Sequence, residues 1–427
     1  MKFKSPRGTH DILPQQVGIF RRVVDTSRRL FERSGYREVV TPMFEENELF
    51  ARSVGSETDI VQKEMYVFKD RAGRELALRP EGTASVIRSY LQHGLHANMD
   101  VQKLYYVGPM FRYDRPSAGR YRQFHQVGIE AIGSLSPYLD VECIAILRDL
   151  AKLLGIEEVD VLINSVGCRK CRPGYVEVLK EFLADRYDSL CSDCKTRYRS
   201  NPLRVLDCKK DHDLRCRSTI PVPMDYLCEE CRHHFDEVRQ ILDSSGIPYA
   251  LEPYLVRGLD YYTKTAFELV FKSFGAQNSL GGGGRYDDLV EMLGGSSTPA
   301  VGFSAGVERI ILALEMIADS ESKREEDKQK GRVVDVFFVI TDESIRIPAF
   351  REMLKVRNIL SVDMDFTGKS VKAQFRKADK LGVRFAVIFG TDEMNMGAVK
   401  VKDMKSGEEV DVSLEDLCDH LGEMKVE

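Results

Sequence analysis

The residues best suited to chemistry lie between Leu104 and Gly133, in LYYVGPMFRYDRPSAGRYRQFHQVGIEAIG. Two strand-like runs flank a loop crowded with arginine. On the returning run Gln126, Gly128 and Glu130 recur at every second residue and so share one face of a sheet, while Arg112 closes the first run. A polar floor beneath guanidinium groups suits a phosphate-bearing substrate, because the planar fork of arginine meets phosphate oxygens two at a time. Taken alone, the segment leaves a lesser alternative, an amphipathic hairpin with a solvated face.

Four further segments narrow the reading: LRPEGT from Leu78 to Thr83, LVRGLDYYTKTAFE from Leu255 to Glu268, LGGGGRYDDL from Leu280 to Leu289, and PAVGFSAGVERIILAL from Pro299 to Leu314. With them the chain closely resembles the bacterial histidyl-tRNA synthetases. The resemblance covers nearly the whole chain, including the three motifs of class II aminoacyl-tRNA synthetases and two histidine-specific segments. It implies an α+β fold: a class II core with an antiparallel sheet flanked by helices, an inserted subdomain, and a C-terminal α/β anticodon-binding domain. The implied reaction activates L-histidine with ATP to histidyl-adenylate and pyrophosphate, then transfers histidine to the 3′ end of tRNA(His).

Adenylate formation joins two anions, so its site must neutralise charge and align the attack more than move protons. Arg112, Arg257 and Arg309 are the cations expected there. The resemblance implies Arg112 on the α-phosphate, Arg309 on the folded-back γ-phosphate, and Arg257 between the α-phosphate and the substrate carboxylate. Gln126, near that carboxylate, completes the expected catalytic set with Arg112 and Arg257. Arg120 and Phe124 of the hairpin loop suit a clamp on phosphate and a flat surface for adenine. Mg2+ accompanies ATP, with Glu130 and Asp287 as candidate carboxylates.

For histidine the resemblance implies Glu81, Gly82 and Thr83 around the α-amino group, Glu130, Tyr262 and Tyr286 on the imidazole, and Tyr261 lining the same pocket. As isolated features the paired tyrosines are equally core aromatics. Buried polar groups that a wrong ligand leaves unpaired reject it by roughly 10⁴-fold, so no editing domain is needed. The run Gly281 to Gly284 fits neither a P-loop nor a dinucleotide fingerprint and is read as close backbone approach beside the pocket. His125 alternates out of phase with Gln126 and is not expected to act as a base.

Several elements must position these groups. Apolar residues at helical spacing from Gly18 to Ser34 predict a helix that runs into the extended REVV and Thr41-Pro42; the resemblance makes this the interface of a homodimer. YVFKDRAGRELAL predicts a hairpin turning at Asp70, Ala72 and Gly73, and Glu81 to His93 a helix. The expected domains are residues 1–322, catalytic, with a cysteine-rich insertion at about 167–236; a charged linker, 323–331; and an anticodon-binding domain, 332–427. In the last, VVDVFFVIT and FAVIFG alternate with helical patterns, predicting an α/β unit with a partly parallel sheet. Lys369, Lys372, Arg376, Lys377, Lys380 and Arg384 gather on and beyond one of its helices. Such a face is commonly just solvated; the resemblance implies tRNA contacts through Lys372, Arg376 and Lys380.

Of ten cysteines, eight lie from Cys168 to Cys231. Three CxxC pairs there offer thiolates at the spacing of tetrahedral zinc. Cys168/Cys171 with Cys191/Cys194 match a C-x2-C-x19-C-x2-C template. The preferred reading instead joins Cys168 and Cys171 to Cys228 and Cys231, which bracket the insertion where its entering and leaving segments must meet. Free buried thiols are the remaining alternative, disulfides being disfavoured in a reducing cytosol. Any zinc would be structural.

A chain of 427 residues accommodates two or three domains. With a net charge of -5, RNA contacts must come from local basic patches. The absence of an 18-residue apolar run or a secretory h-region predicts a cytoplasmic protein without membrane partners. The main rival function is a catalytically silent, histidine-sensing regulatory subunit of ATP phosphoribosyltransferase. Such relatives generally lack the anticodon-binding domain and much of the ATP-binding set, whereas Arg112, Arg257 and Arg309 are all present here. A zinc-dependent nucleic-acid module without catalysis leaves the arginine, glutamate and tyrosine constellation unexplained.

Overall fold

A computed structural model describes residues 3–55, 58–97, 99–208, 211, 220–275, 278–321 and 334–423. Two compact units, Met1–Arg324 and Glu325–Glu427, account for the chain; the expected linker at 323–331 lies outside the described residues.

In the first unit a helix, Pro14–Arg33, leads to strand β1 (Arg37–Glu38). Its proline start suits a first turn whose N–H groups have no intrahelical partner. Strands β2 (Phe44–Glu46), β3 (Val67–Lys69) and β4 (Glu75–Leu78) form a small antiparallel sheet, with the β3–β4 turn at Gly73 as expected. The long pair β5 (Gln102–Phe111) and β6 (Gln123–Ile132) is followed by β7 (Val159–Ser165), β8 (Ala250–Leu251), β9 (Thr263–Phe271), β10 (Ser279–Arg285) and β11 (Ala300–Gly306). With β1 they make an eight-stranded sheet in the order β1-β5-β6-β11-β10-β9-β7-β8. Its six inner strands are antiparallel; only β1 on β5 and β8 on β7 run parallel.

Register gives this sheet two different faces. Tyr105, Val127, Ile129, Val301, Phe303, Phe267 and Leu269 point to one side and are buried against the helices Pro14–Arg33, Pro137–Leu154 and Val307–Glu321. Phe31 anchors that layer, its ring 5.6 Å from Tyr105 and 6.0 Å from Phe303. Burying a side chain of this size is worth ~1.5–3 kcal/mol, so the layer is a major source of stability. On the opposite face, cross-strand pairing sets Tyr106, Gly128, Ser304, Gly282 and Glu268 in one row, and Leu104, Glu130, Gly302, Gly284 and Ala266 in the next. A sheet face so rich in glycine has room above it.

The insertion leaves the sheet after β7. It comprises the helices Arg172–Ala184 and Ser192–Ser200 and returns through Glu229–Ser244, which stops at Gly246 with φ 63.

The second unit carries β12 (Val336–Ile340), β13 (Val362–Met364), β14 (Phe385–Phe389), β15 (Ala398–Asp403) and β16 (Glu409–Ser413) in the order β13-β12-β14-β15-β16. The first three strands are parallel neighbours and the last two antiparallel, in line with a partly parallel sheet. On the helix Val371–Leu381, Lys372, Arg376 and Lys380 are exposed at every fourth position, whereas Lys377 turns to Asp363 at 3.0 Å.

Candidate active site

Above the glycine-rich face lies a cavity of about 320 Å³ whose wall includes Glu81, Thr83, Arg112, Arg120, Phe124, Gln126, Arg257, Tyr261, Tyr262, Tyr286 and Arg309. These residues come from distant parts of the chain. Four of them, Arg112, Arg120, Arg257 and Arg309, also line an adjoining cavity of about 480 Å³, so the guanidinium groups border one continuous cleft.

Each cation is held from behind. Arg112 directly follows β5, donates from Nε to the Pro80 carbonyl at 2.9 Å and lies 5.5 Å from the Phe124 ring. Burial lowers its proton affinity, opposed by Glu64 and Glu81. Arg257 pairs with Glu268 of β9 at 2.7 Å. Arg309, in the first turn of the helix Val307–Glu321, donates to the Ser279 carbonyl at 3.2 Å and lies over the Phe274 ring at 4.2 Å. Its own burial, then Arg120, depresses its pKa. Such a group gains most from a nearby anion. Arg120 meets Asp114 at 3.3 Å and stays half exposed.

Opposite the arginines is a hydroxyl-rich wall. Glu81 accepts from the backbone N–H of Thr83 at 2.5 Å and of Ala84 at 2.9 Å, at the start of the helix Thr83–Gln92. Beneath it Glu130 accepts from Thr83 Oγ1 at 2.7 Å and from the Tyr286 hydroxyl. Burial pushes the Glu130 carboxyl up to about 8, against the opposing effect of those two hydrogen bonds. Tyr261 packs against Tyr262 and Tyr286, with centroids 4.7 and 5.5 Å away. Gln126 donates to Ser304 Oγ at 3.3 Å, and its Oε1 is buried with no hydrogen-bond partner.

The glycines make this possible. A Cβ on Gly302 would sit 2.0 Å from Glu130 Oε2, one on Gly282 2.8 Å from Arg257 Nη1, and one on Gly82 2.3 Å from the Tyr106 ring.

Two expectations need correction. Glu130 and Gly82 do not line the cavity: Glu130 is 1% exposed, one layer below, with its oxygens turned to Thr83 and Tyr286, and Gly82 is covered by Tyr106. Asp287 is no magnesium ligand in this arrangement, because Arg285 at 3.2 Å and Lys264 at 3.3 Å hold it outside the cavity. Cys191 and Cys194 stand apart from Cys168 and Cys171. Among the described residues Cys168, Cys171, Cys228 and Cys231 form one group with all sulfurs within 4.8 Å, and Cys191, Cys194, Cys208 and Asp211 another. His125 faces away from the cavity, as its phase predicts, with Nδ1 2.8 Å from Glu308.

Sequence reasoning missed Arg79, Glu64 and Arg204. Arg79 is 5% exposed and donates to Thr41, to its carbonyl at 3.0 Å and Oγ1 at 2.9 Å, and to the Pro109 carbonyl at 2.9 Å. It thus fastens the run carrying Glu81 to β5. Glu64 and Arg204 line the cavity. Burial raises the Glu64 carboxyl, with Arg112 opposing. Nothing in their local sequence marks either one.

Comparison with known proteins gives the family. Residues 8–170 and 201–310 match the histidyl-tRNA synthetase family, and 349–424 match the anticodon binding domain. The stretch 171–200, with Cys191 and Cys194, falls between the two matched segments. A histidine–tRNA ligase of Halothermothrix orenii is 46% identical over 99% of both chains. One from Natranaerobius thermophilus is 47% identical over 99% of this chain and 100% of its own. The crystal structure of apo S. aureus histidyl-tRNA synthetase superposes with a TM-score of 0.80 at 36% identity, covering 98% of this chain and 99% of that one. Full-length likeness at this level, on a sheet whose register gathers the arginines and tyrosines in one cleft, means that the chain belongs to the histidyl-tRNA synthetase family.

Proposed function

We propose that this chain is a histidine–tRNA ligase, activating L-histidine with ATP and delivering the histidyl group to tRNA(His). The observation that carries the reading is the convergence of Arg112, Arg120, Arg257 and Arg309 with Glu81, Thr83 and three tyrosines on one cavity. A carboxylate oxygen of histidine attacks the α-phosphorus of ATP, forming the acyl–phosphate bond as the bond to pyrophosphate breaks. Arg112 and Arg257 hold the α-phosphate and the incoming carboxylate, and Arg309 the γ-phosphate. Because Glu268 and backbone carbonyls fix these cations before substrate arrives, little reorganisation accompanies the charge shift. Magnesium bound to the ATP phosphates supplies further charge neutralisation.

On the histidine side, Glu81 accepts from the α-ammonium group beside Thr83. Gln126, with its unpartnered Oε1, lies near the reacting carboxylate end. Glu130 acts indirectly. By accepting the Tyr286 hydroxyl proton it leaves the lone pairs of that oxygen for an imidazole N–H, and Tyr262 offers the second polar contact. A ligand without the ring N–H leaves this acceptor unpaired, which rejects it without editing. Phe124 supplies the stacking surface for adenine and Arg120 the mobile clamp.

Four other readings accompany this one. Val40, Met43, Phe44 and Phe68 are exposed apolar residues beside β1 and the small sheet, Val40 at 82%, which supports a homodimer closing over them. Lys372, Arg376 and Lys380 contact tRNA phosphates from the second unit. No helix among the described residues is long and apolar enough to cross a membrane, consistent with a cytoplasmic enzyme. Cys168, Cys171, Cys228 and Cys231 hold a structural zinc. Zinc–sulfur bonds of ~2.3 Å put the sulfurs of a tetrahedron ~3.8 Å apart, and three of their separations are 3.8, 3.8 and 3.9 Å.

Pyrophosphate exchange into ATP tests the central reading. It should require histidine, proceed without tRNA and collapse in Arg257→Ala. Absence of exchange in the unaltered protein would favour the histidine-sensing regulator instead.

A further inference from the structure

We propose that Cys191, Cys194, Cys208 and Asp211 form a second structural zinc site, separate from the one at the base of the insertion. Their ligand atoms lie within 4.8 Å of one another, and Cys191 and Cys208 bring their sulfurs to 3.7 Å. That separation is far beyond a disulfide bond of ~2.05 Å and close to the ~3.8 Å edge of a zinc–thiolate tetrahedron. The backbone repeats the same pattern twice. The N–H of Cys194 donates to Cys191 Sγ at 3.5 Å, and the N–H of Asp211 to Cys208 Sγ at 3.4 Å, each from three residues onward. Cys208-x2-Asp211 is therefore the counterpart of a CxxC turn with a carboxylate in the last position, and a carboxylate oxygen is among the ligands zinc takes. Three soft thiolates select zinc over magnesium or calcium.

The lobe around this group needs a fastening. Its own apolar core consists of Tyr175, Leu179, Leu183, Leu190, Val205, Leu206 and Ile220, with Cys194 and Cys208 in its wall. So small a cluster buries little surface, the situation in which a metal commonly supplies the missing stability. What the metal would hold in place is charge. The segment between the ligand pairs carries Arg197 and Arg204, which meet Asp59 at 2.9 and 3.1 Å. Arg204 lines the cleft, and Asp59 precedes Ile60 and Glu64 in the same wall. Arg197 also lies in the field of Cys194 and Cys208, which balances the excess negative charge of three thiolates and a carboxylate around one divalent ion.

Metal content per chain tests the proposal. The purified protein should release two zinc ions to a mercurial thiol reagent; Cys191→Ser/Cys208→Ser should release one, and Cys228→Ser/Cys231→Ser the other. A single zinc in the unaltered protein, kept by the Cys191/Cys208 variant and lost by the Cys228/Cys231 variant, overturns the second site and leaves the first intact. The reverse pattern supports the second and removes the first. Should a variant fail to fold, Co2+ titration of the metal-stripped full chain replaces it: thiolate-to-cobalt absorbance should climb to two equivalents, and a break at one equivalent that leaves Cys191, Cys194 and Cys208 open to alkylation overturns the proposal. Outer-shell contacts alone are worth ~10–100-fold in metal affinity, so Asp211→Ala should weaken zinc retention against a chelator by at least ~10-fold. Full retention there overturns Asp211 as the fourth donor.

Discussion

Replacing Glu130 by glutamine separates the two jobs assigned to that carboxyl. In the folded chain burial raises its pKa from the ordinary 4.5 to about 8. Between those values the native state keeps a proton that the unfolded chain releases. The stability associated with this group is thus fully present below pH 4.5 and declines as pH rises through 8, at ~1.4 kcal/mol per pH unit. Glutamine carries no titrating proton, so Glu130→Gln should flatten that slope. From pH 5 to pH 8 the variant should gain on the parent by ~4 kcal/mol, or roughly 8 °C for a unit of this size. Differential scanning calorimetry of the ligand-free protein across that range measures it. Catalysis should move the other way: Thr83 and Tyr286 both donate to Glu130, and glutamine offers one acceptor oxygen for two hydroxyls. Leaving one of these buried hydroxyls unpaired costs ~1–3 kcal/mol, a drop of ~5–150-fold in kcat/KM for histidine in pyrophosphate exchange. Parallel melting curves for parent and variant would refute the argument, since they would mean that Glu130 is ionised throughout.

Other perturbations address different layers. Gly302→Ala forces a methyl group within 2.0 Å of Glu130 Oε2 and 2.3 Å of the Ile129 carbonyl; destabilisation of ~1–3 kcal/mol is expected, with exchange activity falling in parallel. Asp140→Asn leaves Arg285, 0% exposed, with Asp287 at 3.2 Å as its remaining carboxylate partner; thermal melting should register a loss of up to ~3–5 kcal/mol. Replacing Lys372, Arg376 and Lys380 together by alanine should weaken tRNA binding and reduce the slope of log affinity against log salt by up to ~2. An unchanged slope would remove that helix from the tRNA surface.

Much of this protein is legible in its sequence because the informative signals are local. Period-two alternation places Gln126, Gly128 and Glu130 on one face and His125 on the other, and register along β6 follows it. The alternating strands and helices of the second unit likewise report a partly parallel sheet. Motif matches assign arginines and tyrosines to a common site without showing how they meet. The tertiary structure decides what depends on long-range packing. It drops Glu130 a layer below the cavity, because Gly302 opens a space there and two hydroxyls claim its oxygens. It turns Asp287 onto Lys264 and Arg285, and makes Arg79 a clamp between segments whose proximity only the folded sheet creates. It also sorts the cysteines. Spacing alone permits two pairings, and chain geometry brings Cys228 and Cys231 to Cys168 and Cys171 while Asp211, invisible to any cysteine count, joins Cys191, Cys194 and Cys208. Side-chain chemistry is written residue by residue, but which groups share a few ångströms is fixed by the packing of the whole chain.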